Sequence, residues 1–272
     1  MTMTMTLLMT ELRRALHRRL VWVLVGLALA GIAVTGVLVF IATGGTRAAS
    51  GTDSIDPARM TDWWRPDIPD GVVLLPGIML FLGALIGGAS VVGAEWRSGG
   101  VTTVLTWAPR RRALLLARLG AAGLLAGLIS LALQLLYLAA LVPSVAIHGT
   151  AAGADGTYLA GLLAVLLRIS VVSAVAAVLG GAIANIGRAT VAALGVVWGW
   201  VLIGESLVRV VRPGLARWLL SENVGRVVVY QADDNMSFAR PGWLALVTLL
   251  AYTTVAVVGA VALFSRRDVL TA

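Results

Sequence analysis

The sequence predicts an all-α membrane protein with six transmembrane helices, and three observations predict it. Hydrophobic residues fill 59% of the 272 positions and charged residues only 12%, with a mean hydropathy of +0.94. A soluble domain of this length needs far more charge to cover its surface. Apolar runs of about 18 residues or more recur, the length that crosses a bilayer's hydrocarbon as a helix. All 21 basic residues are arginine, and they gather beside those runs.

Residues 1–19 form an N-terminal cytoplasmic or interfacial segment. The Met-Thr repeat of residues 1–6 reads as disordered. Residues 7–19 place Leu8, Leu12 and Leu16 on one helical face and arginines elsewhere. They form either an amphipathic helix on the inner leaflet or simply a positive-inside anchor. The six-span domain covers 20–264, with spans at 20–43, 72–94, 119–142, 169–186, 189–208 and 242–264. The first is too long for the apolar region of a signal peptide. At ~1.5 Å per residue it reaches roughly 36 Å, enough to cross with some tilt. External loops occupy 44–71, 143–168 and 209–241, and 265–272 is a cytoplasmic tail. The first loop is rich in Pro, Gly and Asp, with Trp63 and Trp64 resting at the interface. Within 209–241, apolar patches at 215–220 and 227–230 are too short to span and read as short interfacial or re-entrant helices.

Orientation follows from the arginines. With the N-terminus inside, cytoplasmic segments hold twelve arginines against three acids, and external segments hold eight against ten. Both termini are therefore expected in the cytoplasm. The net charge of +8 has this cause and does not point to nucleic acid. The absence of lysine, with the Ala, Gly and Val excess, fits a GC-rich bacterial genome; the localisation expected is the inner (cytoplasmic) membrane of a bacterium, multi-pass.

Small and polar residues recur at spacings of three and four within the spans. They are Gly83, Gly87, Ser90 and Ala94 in the second; Gly120, Gly123, Gly127, Ser130, Gln134 and Tyr137 in the third; Ser170, Ser173, Ala177, Gly180 and Ala184 in the fourth. Such stripes let helix backbones approach where lipid supplies no hydrophobic drive. A buried amide must face protein, water or ligand, so the third stripe is either a packing seam or a substrate path. Ser130, Gln134, Tyr137, Trp198 and Glu205 are the candidates for that path. A Gly-Gly-Ala shared by 85–89 and 179–182 is too weak, in a Gly-rich chain, to mark a repeat. Arg168 is placed at the headgroups, with 159–167 as an outer extension of the fourth span. Glu205, four residues before Arg209, is either an interfacial ion pair or a gating or substrate contact.

Several chemistries are excluded or disfavoured. Without lysine no G-x-x-x-x-G-K-[ST] phosphate loop exists, so the chain has no such nucleotide site of its own. With no cysteine, and with His17 and His148 on opposite sides of the membrane, no His/Cys metal site is expected. No Gly-x-Ser-x-Gly elbow occurs, and no pair of carboxylates lies within the spans.

One segment is neither membrane filler nor generic loop. Residues 95–112 run Glu95-Trp96-Arg97, then Ser98-Gly99-Gly100, then an amphipathic stretch through Thr102, Thr103, Leu105 and Trp107, ended by Pro109 and three arginines. With Glu11-Leu12-Arg13-Arg14, Gly187-Arg188 and Arg266-Arg267-Asp268-Val269, this segment makes the chain resemble the permease subunits of ABC-2-type ABC transporters. The resemblance implies a cytoplasmic coupling helix between the second and third spans, docked on a separate ABC ATPase. It assigns that role to Glu95, Trp96, Arg97, Ser98, Thr102, Thr103, Leu105 and Trp107. It further implies export through a permease dimer, of two copies or of this chain with a paralogue, with ATP and Mg on the ATPase and no cofactor on this chain. The other readings are an interfacial loop whose tryptophans mark the headgroups, an ion-coupled secondary transporter, and a non-transporting anchor or sensor subunit.

Overall fold

The computed structural model describes residues 2–45, 55–64, 71–97, 111–229 and 241–266. Of these, 89% are helical and none lies in a strand. The helices are α1 (Thr2–Leu16), α2 (Arg19–Gly45), α3 (Leu74–Arg97), α4 (Arg111–His148) and α5 (Gly156–Gly187), followed by α6 (Thr190–Gly199), α7 (Glu205–Val211), α8 (Leu220–Val229) and α9 (Gly242–Arg266). A π-helical turn, Trp200–Gly204, joins α6 to α7 as one long element. Six helices are long and apolar enough to cross a membrane.

The helices overrun the predicted spans. With 38 and 32 residues, α4 and α5 reach about 57 and 48 Å at ~1.5 Å per residue, well beyond a hydrocarbon core of about 30 Å. The predicted loop at 143–168 shrinks to Gly149–Asp155 in consequence. The start of α5 is set by its cap: the Asp155 carboxylate accepts the Tyr158 N–H at 2.8 Å. From there the helix runs unbroken through Arg168 to Arg188, whose left-handed backbone (φ 54°) ends it. Hydropathy cannot see either signal.

The Met-Thr repeat, read as disordered, is helical from Thr2 onward. The buried face of α1 centres on Glu11 and Ala15, not on Leu16, which is exposed. That face packs on α4 and α3 beside Ala122, Leu125 and Val91. A break at His17 and Arg18 turns the chain into α2, and the Trp22 indole donates back across it to the Leu16 carbonyl at 2.7 Å.

At the centre stands α5, against α3, α4, α6, α8 and α9. Its crossing with α3 is the tightest packing in the bundle. A Cβ on Gly88 would collide with the Ala177 carbonyl, and one on Gly180 with the Leu85 carbonyl. A Cβ on Gly181 would meet the Leu119 side chain at 2.8 Å and the Gly88 carbonyl at 3.2 Å. The two Gly-Gly-Ala triplets are thus opposite halves of one contact, with Ala89 and Ala182 fully buried beside it. The stripe read on the second span is displaced by one residue. Gly83 meets nothing within 4 Å and Gly87 only Leu24, whereas Gly88 carries the approach.

Far from α1, residues 55–64 fold over the ends of α4 and α5. Met60 N–H donates to the Thr150 carbonyl at 3.0 Å and Thr150 N–H to Ala58 at 3.1 Å. Gly149 leaves room for this approach, since a Cβ there would strike Ala58. Trp63, expected at the membrane interface, is 2% exposed and lies in the core with Val73, Leu141 and Ile169. Its indole N–H is satisfied by the Pro57 carbonyl at 2.9 Å. In the predicted loop 209–241, the expected short helices are a 3-10 turn at Pro213–Trp218 and α8.

Candidate functional site

The end of the bundle that carries α1 also carries the close of α3 and α5, the start of α4 and the last turns of α9. It is here that α3 ends at Arg97 and α4 begins at Arg111. Glu95 and Arg97 lie in the last turn of α3. Their side chains, and Ser98, Thr102, Thr103, Leu105 and Trp107 altogether, lie outside the described residues. Trp96 is described, and it is held from three directions. Its indole N–H donates to Asn185 Oδ1 of α5 at 3.2 Å. Its ring stands edge-on to Phe264 of α9, centroids 6.1 Å apart. The Arg188 guanidinium lies 5.2 Å over the ring centroid, a cation–π distance. Asn185 completes the node by donating from Nδ2 to the Ala260 carbonyl of α9 at 3.2 Å. Val92, Leu115, Leu119 and Ala182 pack around it with Phe264 and Trp96.

A second polar contact ties α1 to the same end. Glu11 and Arg118, each 5% exposed, form an ion pair between Oε2 and Nε at 3.1 Å. Arg14 reaches the other Glu11 oxygen at 3.3 Å, and Arg18 donates to the Ser90 carbonyl of α3 at 2.9 Å. Buried charges persist only when paired and hydrogen-bonded, so α1 is a docked component of the bundle.

The candidates for a substrate path fall into two groups. Ser130, Gln134 and Tyr137 follow one face of α4. The Gln134 amide nitrogen lies within 3.1–3.3 Å of the Ser130 carbonyl and hydroxyl, the Leu166 carbonyl and the Ser170 hydroxyl. Ser130 and Ser173 hydroxyls meet at 3.1 Å, and Tyr137 donates to the Val72 carbonyl at 3.4 Å. Gln134 Oε1 is buried with no hydrogen-bond partner among the described residues. Trp198 and Glu205 belong elsewhere: Trp198 is half-buried on α6, and Glu205 follows the π turn at the far end. Glu205 is fully buried. One of its oxygens accepts the Leu220 N–H at 2.6 Å, and Ser221 donates both its N–H and its hydroxyl to the carboxylate. Arg209 lies 3.6 Å away and binds Glu222 as well, at 3.0 Å. The i,i+4 ion pair expected from sequence is present, but the larger part of the arrangement is a carboxylate placed against the N-terminus of α8, where the helix dipole favours it.

Sequence reasoning missed Asn185, at the end of the predicted fourth span. The signal was available: a lone amide in an apolar helix has to find partners. It also left Glu11 and Arg118 unconnected, because 107 residues separate them. No protein-family model matches this chain, and no match is found among curated proteins.

Proposed function

We propose that this chain is the permease subunit of an ATP-driven exporter of the ABC-2 type, with ATP and Mg held by a separate ABC ATPase. The observation that carries the reading is the attachment of the 98–110 segment. It continues directly from α3, the helix interlocked with α5, and Trp96 stands two residues before it, bonded to α5 and packed on α9. Displacement applied there acts on close-packed material, which passes strain on instead of absorbing it.

In this reading the α1 end faces the cytoplasm of a bacterial cell, because the arginine-rich segments meet there. Residues 98–107 form the coupling helix. Val101, Val104, Leu105 and Trp107 enter an apolar groove on the ATPase, while Glu95 and Arg97 fix the base through charge-assisted hydrogen bonds. A second copy or a paralogue completes the translocation path within the bilayer of the inner membrane. The chain contributes no catalysis or cofactor of its own.

An ion-coupled secondary transporter is favoured by one feature, the complete burial of Glu205. The donors around that carboxylate come from a helix N-terminus and a neighbouring arginine, the pattern of a structural cap, so the ATP-driven reading is preferred.

The test is capture of an ATPase from native membranes by the intact chain, repeated with Glu95→Ala and Trp107→Ala. A buried tryptophan that anchors an interface is worth about 2 kcal/mol or more. Trp107→Ala is therefore expected to weaken capture by roughly 30-fold with the helical fold intact. Undiminished capture and undiminished ATPase stimulation in both variants would remove the reading.

A further inference from the structure

We infer that Asn185 is the positioning residue that joins α9 to the motion of α3 and α5. The inference rests on the coupling role proposed for 98–110 and adds how that motion is shared out within the membrane.

The joint is a single side chain that accepts and donates at once. Asn185 is 1% exposed, near the end of α5. Its Oδ1 accepts from Trp96 on α3 and its Nδ2 donates to Ala260 on α9, both at 3.2 Å. An amide supplies acceptor and donor from two separate atoms, one for each partner here. Aspartate keeps the acceptor for Trp96 but sets a carboxylate oxygen against the Ala260 carbonyl. Leucine fills the volume and makes neither bond.

The remaining contacts explain why this joint matters for α9 in particular. The link between α3 and α5 does not depend on it, since their backbones already interlock at Gly88, Gly180 and Gly181. At this end α9 shows no such backbone interlock: a Cβ on Gly259 would meet only the Ile186 side chain, at 3.8 Å. Here α9 is held by side-chain packing of Ala260 and Phe264 against Val92, Leu119 and Ala182, by the Trp96–Phe264 ring contact, and by the directional bond from Asn185. The Ala260 carbonyl lies inside a continuous helix and accepts from Asn185 in addition to any bond within that helix. Losing the amide therefore falls mainly on the half-buried Trp96 N–H, which is left without this acceptor, and uncouples α9 with a modest loss of stability.

The test uses the intact chain in lipid nanodiscs with the ATPase that co-purifies with it. Because the sequence contains no cysteine, spin labels can be placed at Leu116→Cys on α4 and Ala262→Cys on α9, both exposed positions. The α4–α9 distance is measured without nucleotide and with Mg-ATP and vanadate. With Asn185 intact the distance is expected to change on trapping. With Asn185→Leu the change is expected to fall by at least half, while ATPase capture stays at the parent's value and the protein still melts cooperatively at a modestly lower temperature, and Asn185→Gln recovers part of the change. Should Asn185→Leu not assemble, Trp96→Phe removes the donor while keeping the ring and is read in the same way. An undiminished distance change in the variant that assembles overturns the joint and leaves the coupling role standing. No captured ATPase, or no change with Asn185 intact, overturns both.

Discussion

The α3–α5 crossing and the first and fifth spans are built from similarly apolar sequence and end in opposite states. More than half of α5's most apolar window is buried within the bundle, against 6% for α2 and 11% for the helix Ala193–Val211. In lipid, apolarity inserts a helix but does not make it associate. Small residues decide association, and only where the neighbour is complementary. The glycines of α2 make the point. Gly26, Gly31 and Gly45 meet nothing within 4 Å, while Gly36 comes within 3.2 Å of the Ala140 side chain and Gly44 within 3.1 Å of the His148 ring, both on α4. On α5, Gly180 and Gly181 face Leu85, Gly88 and Ala89, and the backbones touch. The rigid part of the molecule is thus the part connected to 98–110, and the loosely held part is elsewhere.

Substitution at the crossing tests this contrast most severely. Valine at Gly88 has to enter space held by the Ala177 carbonyl, which cannot rotate away. Gly88→Val is expected to cost about 3 kcal/mol or more, read as a large fall in melting temperature or loss of folded protein in detergent. Gly26→Val, in open surroundings, is expected to stay within about 0.5 kcal/mol of the parent. Equal melting temperatures for the two would mean that the crossing does not organise the bundle.

A more local effect is expected at Glu11. Removing one partner of a buried ion pair costs about 3–5 kcal/mol, but here the loss falls on the docking of α1, since the six long helices retain their own contacts. Glu11→Leu should abolish amide-exchange protection across Thr2–Leu16 while leaving α3 and α5 protected. Adding Arg118→Met should restore part of it, because the stranded charge is removed. If α1 exchanges as slowly in Glu11→Leu as in the parent, the pair is not what docks it.

The spans were legible because a bilayer constrains composition over about 20 residues at a time, and six such stretches survive as six long helices. Their ends were not legible. The start of α5 depends on Asp155 capping Tyr158, and α4 continues to His148 beyond any hydropathy limit. The polar seam at Ser130, Gln134 and Ser170 could be read from spacing alone, since a period of three and four places those residues on one face. Which glycine of Gly87-Gly88 touches α5 could not be, because it depends on the rotation of α3 about its axis. Trp63 was misplaced for a related reason: tryptophan favours interfaces on average, yet here it packs with Val73 and Ile169 in the core. Asn185 and Trp96 are 89 residues apart, and no local pattern joins them.

The central claim, that 98–110 is a cytoplasmic lever gripped by an ATPase, is tested most directly with one cysteine. Thr103→Cys would be the sole thiol in the chain, to be labelled with a membrane-impermeant maleimide in right-side-out and inside-out vesicles. Labelling only in inside-out vesicles, and protection there once the ATPase is bound, is the result expected. Labelling in right-side-out vesicles, or labelling that the assembled ATPase leaves unchanged, would contradict it.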